Sequence, residues 1–255
     1  MAEIDLNSDL GESYGPWVMG DDAALLSVVT SANVACGGHA SDPQTMFATL
    51  TEAAARGVVV GAHPGYADRE GFGRRVIPMA PAEIGRMVAA QIGALQGVAA
   101  LAGARVRYVK PHGALGNLAA AEPEVAAAIA AAVRAISPDL AVLAISGTAL
   151  EPAAERAGLQ VFSEIFADRA YLPSGQLVPR ARPDAMLHDP AEGAARILRF
   201  LETGRMPVVD GADPIALKAQ SICLHGDSAG AVARARELRR VLGEAGVTFR
   251  PFLPA

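Results

Sequence analysis

Apolar and polar positions fall in blocks along this chain. The run Val58–Ala62 is too hydrophobic for a strand with one wet face, and Val106–Val109 and Leu140–Ile145 are further strand-like runs. They suit strands buried on both sides of a parallel sheet. Most such runs end in a polar tip, commonly with Gly or Pro, and a segment with helical spacing follows. The pattern predicts strands at Ile4–Asn7, Val28–Ala35, Val58–Ala62, Val106–Val109, Leu140–Ile145, Gln160–Phe166 and Gln220–Leu224, with a short last strand at Val247–Phe249.

The helices carry their own start signals. Asp42–Pro43 and Asp189–Pro190 place a capping side chain before a proline, whose missing N–H is tolerated at the first helical position. Glu192 stands at the capping-box position, and Asp21 heads a short helix through Leu26. From Pro81, a long helix shows Ile84, Met87, Val88, Ile92 and Leu95 on one face. Further helices are expected over Glu122–Ile136, Ala149–Ala157 and Ser228–Glu244. Residues 172–188 are rich in Pro, Gly and Arg without a period, which predicts an ordered loop or small hairpin over the site.

Seven strand–helix units with short links imply an α/β fold with a parallel sheet and right-handed crossovers. Polar tips follow strands one, two, three, four, six and seven. A closed barrel gathers such tips on one rim, whereas an open sheet spreads them along an edge. The expected architecture is therefore an irregular seven-stranded parallel β/α barrel, with residues 1–255 as a single domain of ordinary barrel length.

Charge narrows the partners. The net charge is −5 with Lys and Arg dispersed, so neither a nucleic-acid surface nor a polybasic membrane anchor is expected. The acidic start lacks the order of a signal peptide, and no apolar run reaches the roughly 18 residues of a spanning segment. Cys36 and Cys223 make no disulfide framework and read as buried reduced thiols of a cytoplasmic protein.

The tips hold the candidate chemistry. Four of the five histidines (His39, His63, His112 and His225) sit there, and His188, in a Pro-rich connection, reads as ordinary surface. Asp9, Glu12, His39, His63, Lys110 and His112 are the catalytic candidates. Asn7, Asp68, Arg74, Arg75, Asn117, Asp168, Arg169, Arg180 and His225 are candidates for holding substrate, and Asp227 adds a further acid. Carboxylates beside imidazoles can hold a divalent metal, with Asp9, His39 and His63 as candidate ligands, or can move protons without one. The cations can hold a carboxylate or phosphate. Lys110 follows a buried strand, where an unpaired ammonium is costly, so a carboxylate partner or bound anion is expected. Asp42 is assigned to helix capping. A dinucleotide fingerprint, a P-loop and a nucleophile elbow are all absent.

Eight ordered stretches carry a resemblance: DLNSDLGE (5–12), NVACGGHASDP (33–43), GAHPGYAD (61–68), GFGRR (71–75), YVKPHGALGN (108–117), EIFADRAY (164–171), LVPR (177–180) and ICLHGD (222–227). In these the chain resembles the LamB/YcsF family over nearly its whole length. The resemblance implies a seven-stranded β/α barrel of the glycoside hydrolase/deacetylase kind. It also implies ATP-dependent ring opening of 5-oxoproline to L-glutamate, in a complex with 5-oxoprolinase subunits B and C. With no nucleotide motif in the chain, ATP is expected as a co-substrate held mainly by those partners, and a divalent metal is compatible with the rim. Family members usually carry Cys where this chain has Ser8, which argues against a required thiol there. The alternative reading is a stand-alone metal-dependent deacetylase or amidohydrolase acting on an acylated sugar. A purely scaffolding role is a third, which the clustered ionisable tips disfavour.

Overall fold

A computed structural model of the chain describes residues 2–187, 189–226 and 230–255. The expectations for His188, Asp227 and the first residues of the last helix lie outside the described residues. Strand β1 (Glu3–Leu10) leads to α1 (Asp22–Leu26), β2 (Ser31–Ala35), α2 (Pro43–Ala55), β3 (Val59–His63) and α3 (Pro81–Ala102). Then come β4 (Val106–Val109), α4 (Gly113–Ala121), α5 (Pro123–Ile136), β5 (Ala141–Ile145), α6 (Leu150–Arg156) and β6 (Val161–Phe166). The remainder holds α7 (Pro190–Thr203), β7 (Arg205–Met206), β8 (Ile215–Ala216), β9 (Ser221–Leu224), α8 (Ala231–Glu244) and β10 (Thr248–Phe249).

Strands β1 to β6 pair in chain order, all parallel, and β9 pairs with both β6 and β1. Seven strands thus close a barrel, as the alternation predicts. Strands β7 and β8 form a separate antiparallel hairpin, and β10 adds beside Glu3 and Ile4 of β1. The hairpin has no counterpart in the sequence expectation.

Two strands run further than expected. β1 continues through Asp9 to Leu10, and β3 includes His63. The reason is alternation. Ile4, Leu6 and Leu10 join the core between barrel and helices, while Asp5, Asn7 and Asp9 bond to groups of neighbouring strands. A polar residue does not end a strand when the barrel satisfies it. Conversely, Val28 and Val29 belong to the turn after α1 rather than to β2.

Asp42 caps α2 as expected, accepting from the N–H groups of Gln44 and Thr45. By length and composition α3 is able to cross a membrane, which corrects the expectation that no segment is long enough. Here Ile84, Val88, Ile92 and Leu95 of α3 are fully buried in the protein.

The N-terminal end of the barrel is closed by an apolar cluster of Val59, Tyr108, Ala141 and Leu143, with Phe162 and the tail residues Phe252 and Leu253. Gly61 makes room for it. A Cβ there would lie 2.2 Å from the Tyr108 ring.

Candidate active site

Above the apolar cluster the barrel interior turns polar. Ser31 and Ser221 donate to the Asp5 carboxylate. Asn7 donates to Ser221 Oγ at 2.7 Å and to Glu164 Oε2 at 3.2 Å. Asn33 donates to Asn7 Oδ1 (2.7 Å) and Asp9 Oδ1 (2.8 Å), and the Tyr108 hydroxyl donates to Asn33 Oδ1 (2.6 Å). Such mutual satisfaction is what makes a buried polar column tolerable.

Lys110 sits at the top of this column. Its ammonium is 3.0 Å from Asp9 Oδ1, 3.1 Å from Glu164 Oε2 and 3.0 Å from Cys223 Sγ. The partner expected for a buried lysine is therefore a pair of carboxylates. Burial works against the charge on Lys110, yet Asp9, Cys223 and Glu164 around it keep its pKa well above the ordinary value. Burial also opposes ionisation of Asp9, but His63 and Lys110 hold that carboxyl well below its usual range. Burial pushes Glu164 up and the Cys223 thiol well up.

Beside Asp9, three imidazoles pack together. His39 stacks on His112 with ring centres 3.6 Å apart, and His63 meets His112 edge-on. His63 Nδ1 donates to the Lys110 carbonyl (2.6 Å), and His112 Nε2 donates to the Phe72 carbonyl (2.9 Å). His39 Nε2 lies 3.0 Å from Glu12 Oε1. Burial, then the neighbouring imidazoles, push His39 and His112 well below the ordinary histidine value, so both are neutral at pH 7.

The stack needs thin walls. A Cβ on Gly65 would lie 2.7 Å from His39 Nδ1, and one on Gly73 would lie 2.6 Å from His39 Cβ. Gln91 of α3 clamps Gly65 from behind, accepting from its N–H and donating to its carbonyl. Ligand atoms of Glu12, His39, His63 and His112 all lie within 4.8 Å of one another, a donor set able to hold a metal ion.

A cavity of about 530 Å³ opens onto this floor. Asp9, His63, Lys110, His112, Glu164 and His225 reach it from strand ends, Asn117 lines it from α4, and Arg74, Arg169 and Arg180 line it from the loops. The segment over residues 172–188 contributes Leu177, Pro179, Arg180 and Ala181, which matches the expected cover. His225 Nδ1 donates to Asp168 Oδ2 (2.8 Å), and its Nε2 accepts from Arg180 Nη2 (2.9 Å). Arg169 is buried, with Nη2 donating to the Val178 carbonyl and Nε without a partner among the described residues. Burial lowers its pKa to about 10.

Not every candidate joins the cavity. Asp68 and Arg75 pair with each other and do not line it. Asn7 lies below in the column, and Glu12 and His39 are not among the lining residues. Asp168 acts on the cavity through His225. The sequence reading misses Glu164, Asn33 and Gln91. Each is a polar residue in an apolar run, where burial without a partner is costly, and that is the signal that points to them.

The chain is similar to known proteins over nearly its whole length. The LamB/YcsF family profile matches residues 4–255. The third 5-oxoprolinase A subunit of Pseudomonas syringae pv. tomato is 53% identical over 252 residues, covering 99% of this chain and 98% of the relative. The 5-oxoprolinase A subunit of Mycobacterium avium is 52% identical over 252 residues, covering 99% and 100%. Among solved structures, the "Lactam Utilization Protein" from Thermus thermophilus superposes with a TM-score of 0.91 at 43% identity, over 98% of this chain and all of that one.

Proposed function

We infer the function of this chain from its kinship and its cavity together: it belongs to the LamB/YcsF family, and we propose that it is the A subunit of an ATP-dependent 5-oxoprolinase. Its relatives' names make it one hydrolase subunit of an assembly. In the finer reading, subunits B and C are its partners and hold most of the ATP site. The barrel works as a single domain in the cytoplasm, where ATP is available.

A five-membered lactam has a poor electrophile and a poor leaving group. Transfer of the γ-phosphoryl group of ATP to the lactam oxygen activates the carbon. Water then adds, the C–N bond breaks as the ring nitrogen takes a proton, and a second water releases phosphate from the acyl phosphate. The products are L-glutamate, ADP and phosphate.

The observation that carries this reading is a floor of carboxylates and imidazoles under a wall of arginines. Arg169, buried with Nε unpartnered among the described residues, and Arg180 hold the substrate carboxylate or the phosphoryl group. The N–H groups of His63 and His112 are spent on backbone carbonyls, and Asp9 is a weak base beside Lys110. The proton shuttle falls instead to His225, backed by Asp168. It takes the proton of water at Nε2 once Arg180 turns to substrate, then delivers it to the ring nitrogen. The deacetylase reading leaves the arginine wall without a use, because an acylated sugar of the ordinary kind is uncharged.

The test is glutamate formation from 5-oxoproline and ATP with and without subunits B and C. Glutamate is expected only from the full set, and little ATP hydrolysis from this chain alone. His225→Gln should lower kcat by about 10²- to 10⁴-fold, and Arg169→Met should raise KM. Absence of glutamate from the full set, or a full rate in His225→Gln, would overturn the respective claims.

A further inference from the structure

With both rings neutral, the form a metal ligand takes, His63 and His112 face each other through atoms that cannot form a hydrogen bond. A neutral imidazole carries hydrogen on one nitrogen and a lone pair on the other. The carbonyls of Lys110 and Phe72 only accept, so they place the hydrogen of His63 on Nδ1 and that of His112 on Nε2. The other nitrogens, His63 Nε2 and His112 Nδ1, are then both bare, and they stand 3.0 Å apart. The carboxylates beside them are acceptors too. Glu12 Oε1 is 3.6 Å from His112 Nδ1, and Asp9 Oδ2 is 3.4 Å from His63 Nε2. Lone pairs and carboxylates converging in this way repel unless a proton or a metal ion lies among them, and four such groups within 4.8 Å of one another suit the larger ion. Bonds of about 2.0–2.1 Å from a zinc-like ion put neighbouring ligand atoms about 3.0–3.5 Å apart, close to the spacing found.

We propose that His63 Nε2, His112 Nδ1 and the Glu12 carboxylate bind one divalent transition-metal ion of the zinc class. Two imidazoles favour such an ion over magnesium. Two histidines and a glutamate form an open set that leaves positions for water or substrate from the cavity. The carbonyls of Lys110 and Phe72 fix the two rings, as outer partners of metal-binding histidines do.

His39 is a positioning residue in this arrangement. Its Nε2 donates to Glu12, and its ring stacks on His112. As a ligand through Nε2 it would bury an Nδ1–H that has no acceptor among the described residues. Asp9 is secondary, because Lys110 and Asn33 already occupy its Oδ1. A second group, Asp9 with Cys223 and His225, also has its ligand atoms within 4.8 Å. There the Lys110 ammonium stands 3.0 Å from both Asp9 and Cys223, so that place already has its cation.

The inference does not rest on 5-oxoproline as substrate, since its test uses the full chain alone. The protein is purified without chelators and its metal content measured. It is then stripped and titrated with Zn²⁺ and Co²⁺ by calorimetry, with the visible spectrum of the cobalt form recorded. Close to one ion per chain is expected. Glu12→Gln, His63→Gln and His112→Gln should each weaken binding by more than about 100-fold, and His39→Gln by about 10- to 100-fold with the cobalt spectrum retained. His225→Gln should bind as wild type. A stripped wild-type chain that takes up neither ion, and whose Tm neither ion moves, overturns the proposal whatever the variants do. Loss of binding in His225→Gln but not in His63→Gln also overturns it. Failure of the glutamate assay leaves this titration unaffected.

Discussion

At the N-terminal end of the barrel, Val59 and Tyr108 close with Ala141 and Leu143 around Phe252 and Leu253. At the other end, the same strands β3 and β4 deliver His63 and Lys110 to a floor of acids and imidazoles. One inward-facing row thus supplies an apolar seal at its start and reactive groups at its finish. The contrast teaches that polarity in a barrel interior is a matter of depth. The Tyr108 hydroxyl, bonded to Asn33, joins the two zones.

The sharpest challenge to this division is Lys110→Met. If the upper zone served chemistry alone, stability would not change. Because the change leaves Asp9 and Glu164 buried without their cation, a loss of about 3–5 kcal/mol is expected in urea unfolding at pH 7, along with loss of activity. Next is Leu143→Ala in the lower seal, 1% exposed, with an expected cost of about 2–5 kcal/mol. Its glutamate-forming rate at temperatures well below Tm should match wild type. A rate that falls with stability would show that the zones are not separable.

Asp5 lies between the zones, and burial raises its pKa from 3.8 to about 6. The folded state therefore binds this proton more tightly than the unfolded state. The associated stability is fully present below about pH 4 and is lost as pH rises through 6. A shift of this size corresponds to at most about 3 kcal/mol. Asp5→Asn should flatten that part of the stability–pH curve between pH 4 and 7, and an unchanged slope would remove Asp5 from the account. The smallest expected effect is Tyr108→Phe, about 1 kcal/mol for one lost hydrogen bond.

Much of the architecture is legible in the order of residues. Strand-length apolar runs with polar tips identify the barrel, because buried parallel strands leave chemistry only at their ends. That rule finds Asp9, His63, Lys110 and His112. It also sets strand limits too early at Asp9 and His63, since it treats polarity as a stop. Glu164, Asn33 and Gln91 escape it because their partners are far along the chain: Glu164 meets Asn7 across 157 residues. The seal formed by Phe252 and Leu253 escapes because a short tail has no periodicity to read. The pairing of Asp68 with Arg75 is local and leaves both out of the cavity, which no spacing argument distinguishes from substrate binding.

The closure of the ring by β9 bears on how the protein is made. Asp5 and Ser221, which meet at that seam, are 216 residues apart. At a synthesis rate of about 5–20 residues per second, one edge of β1 waits roughly 10–40 s for its neighbour. An unpaired edge invites other chains to add to it, and charged residues along a strand discourage them. Asp5 and Asp9 give the first strand two such charges along the edge that stays open longest.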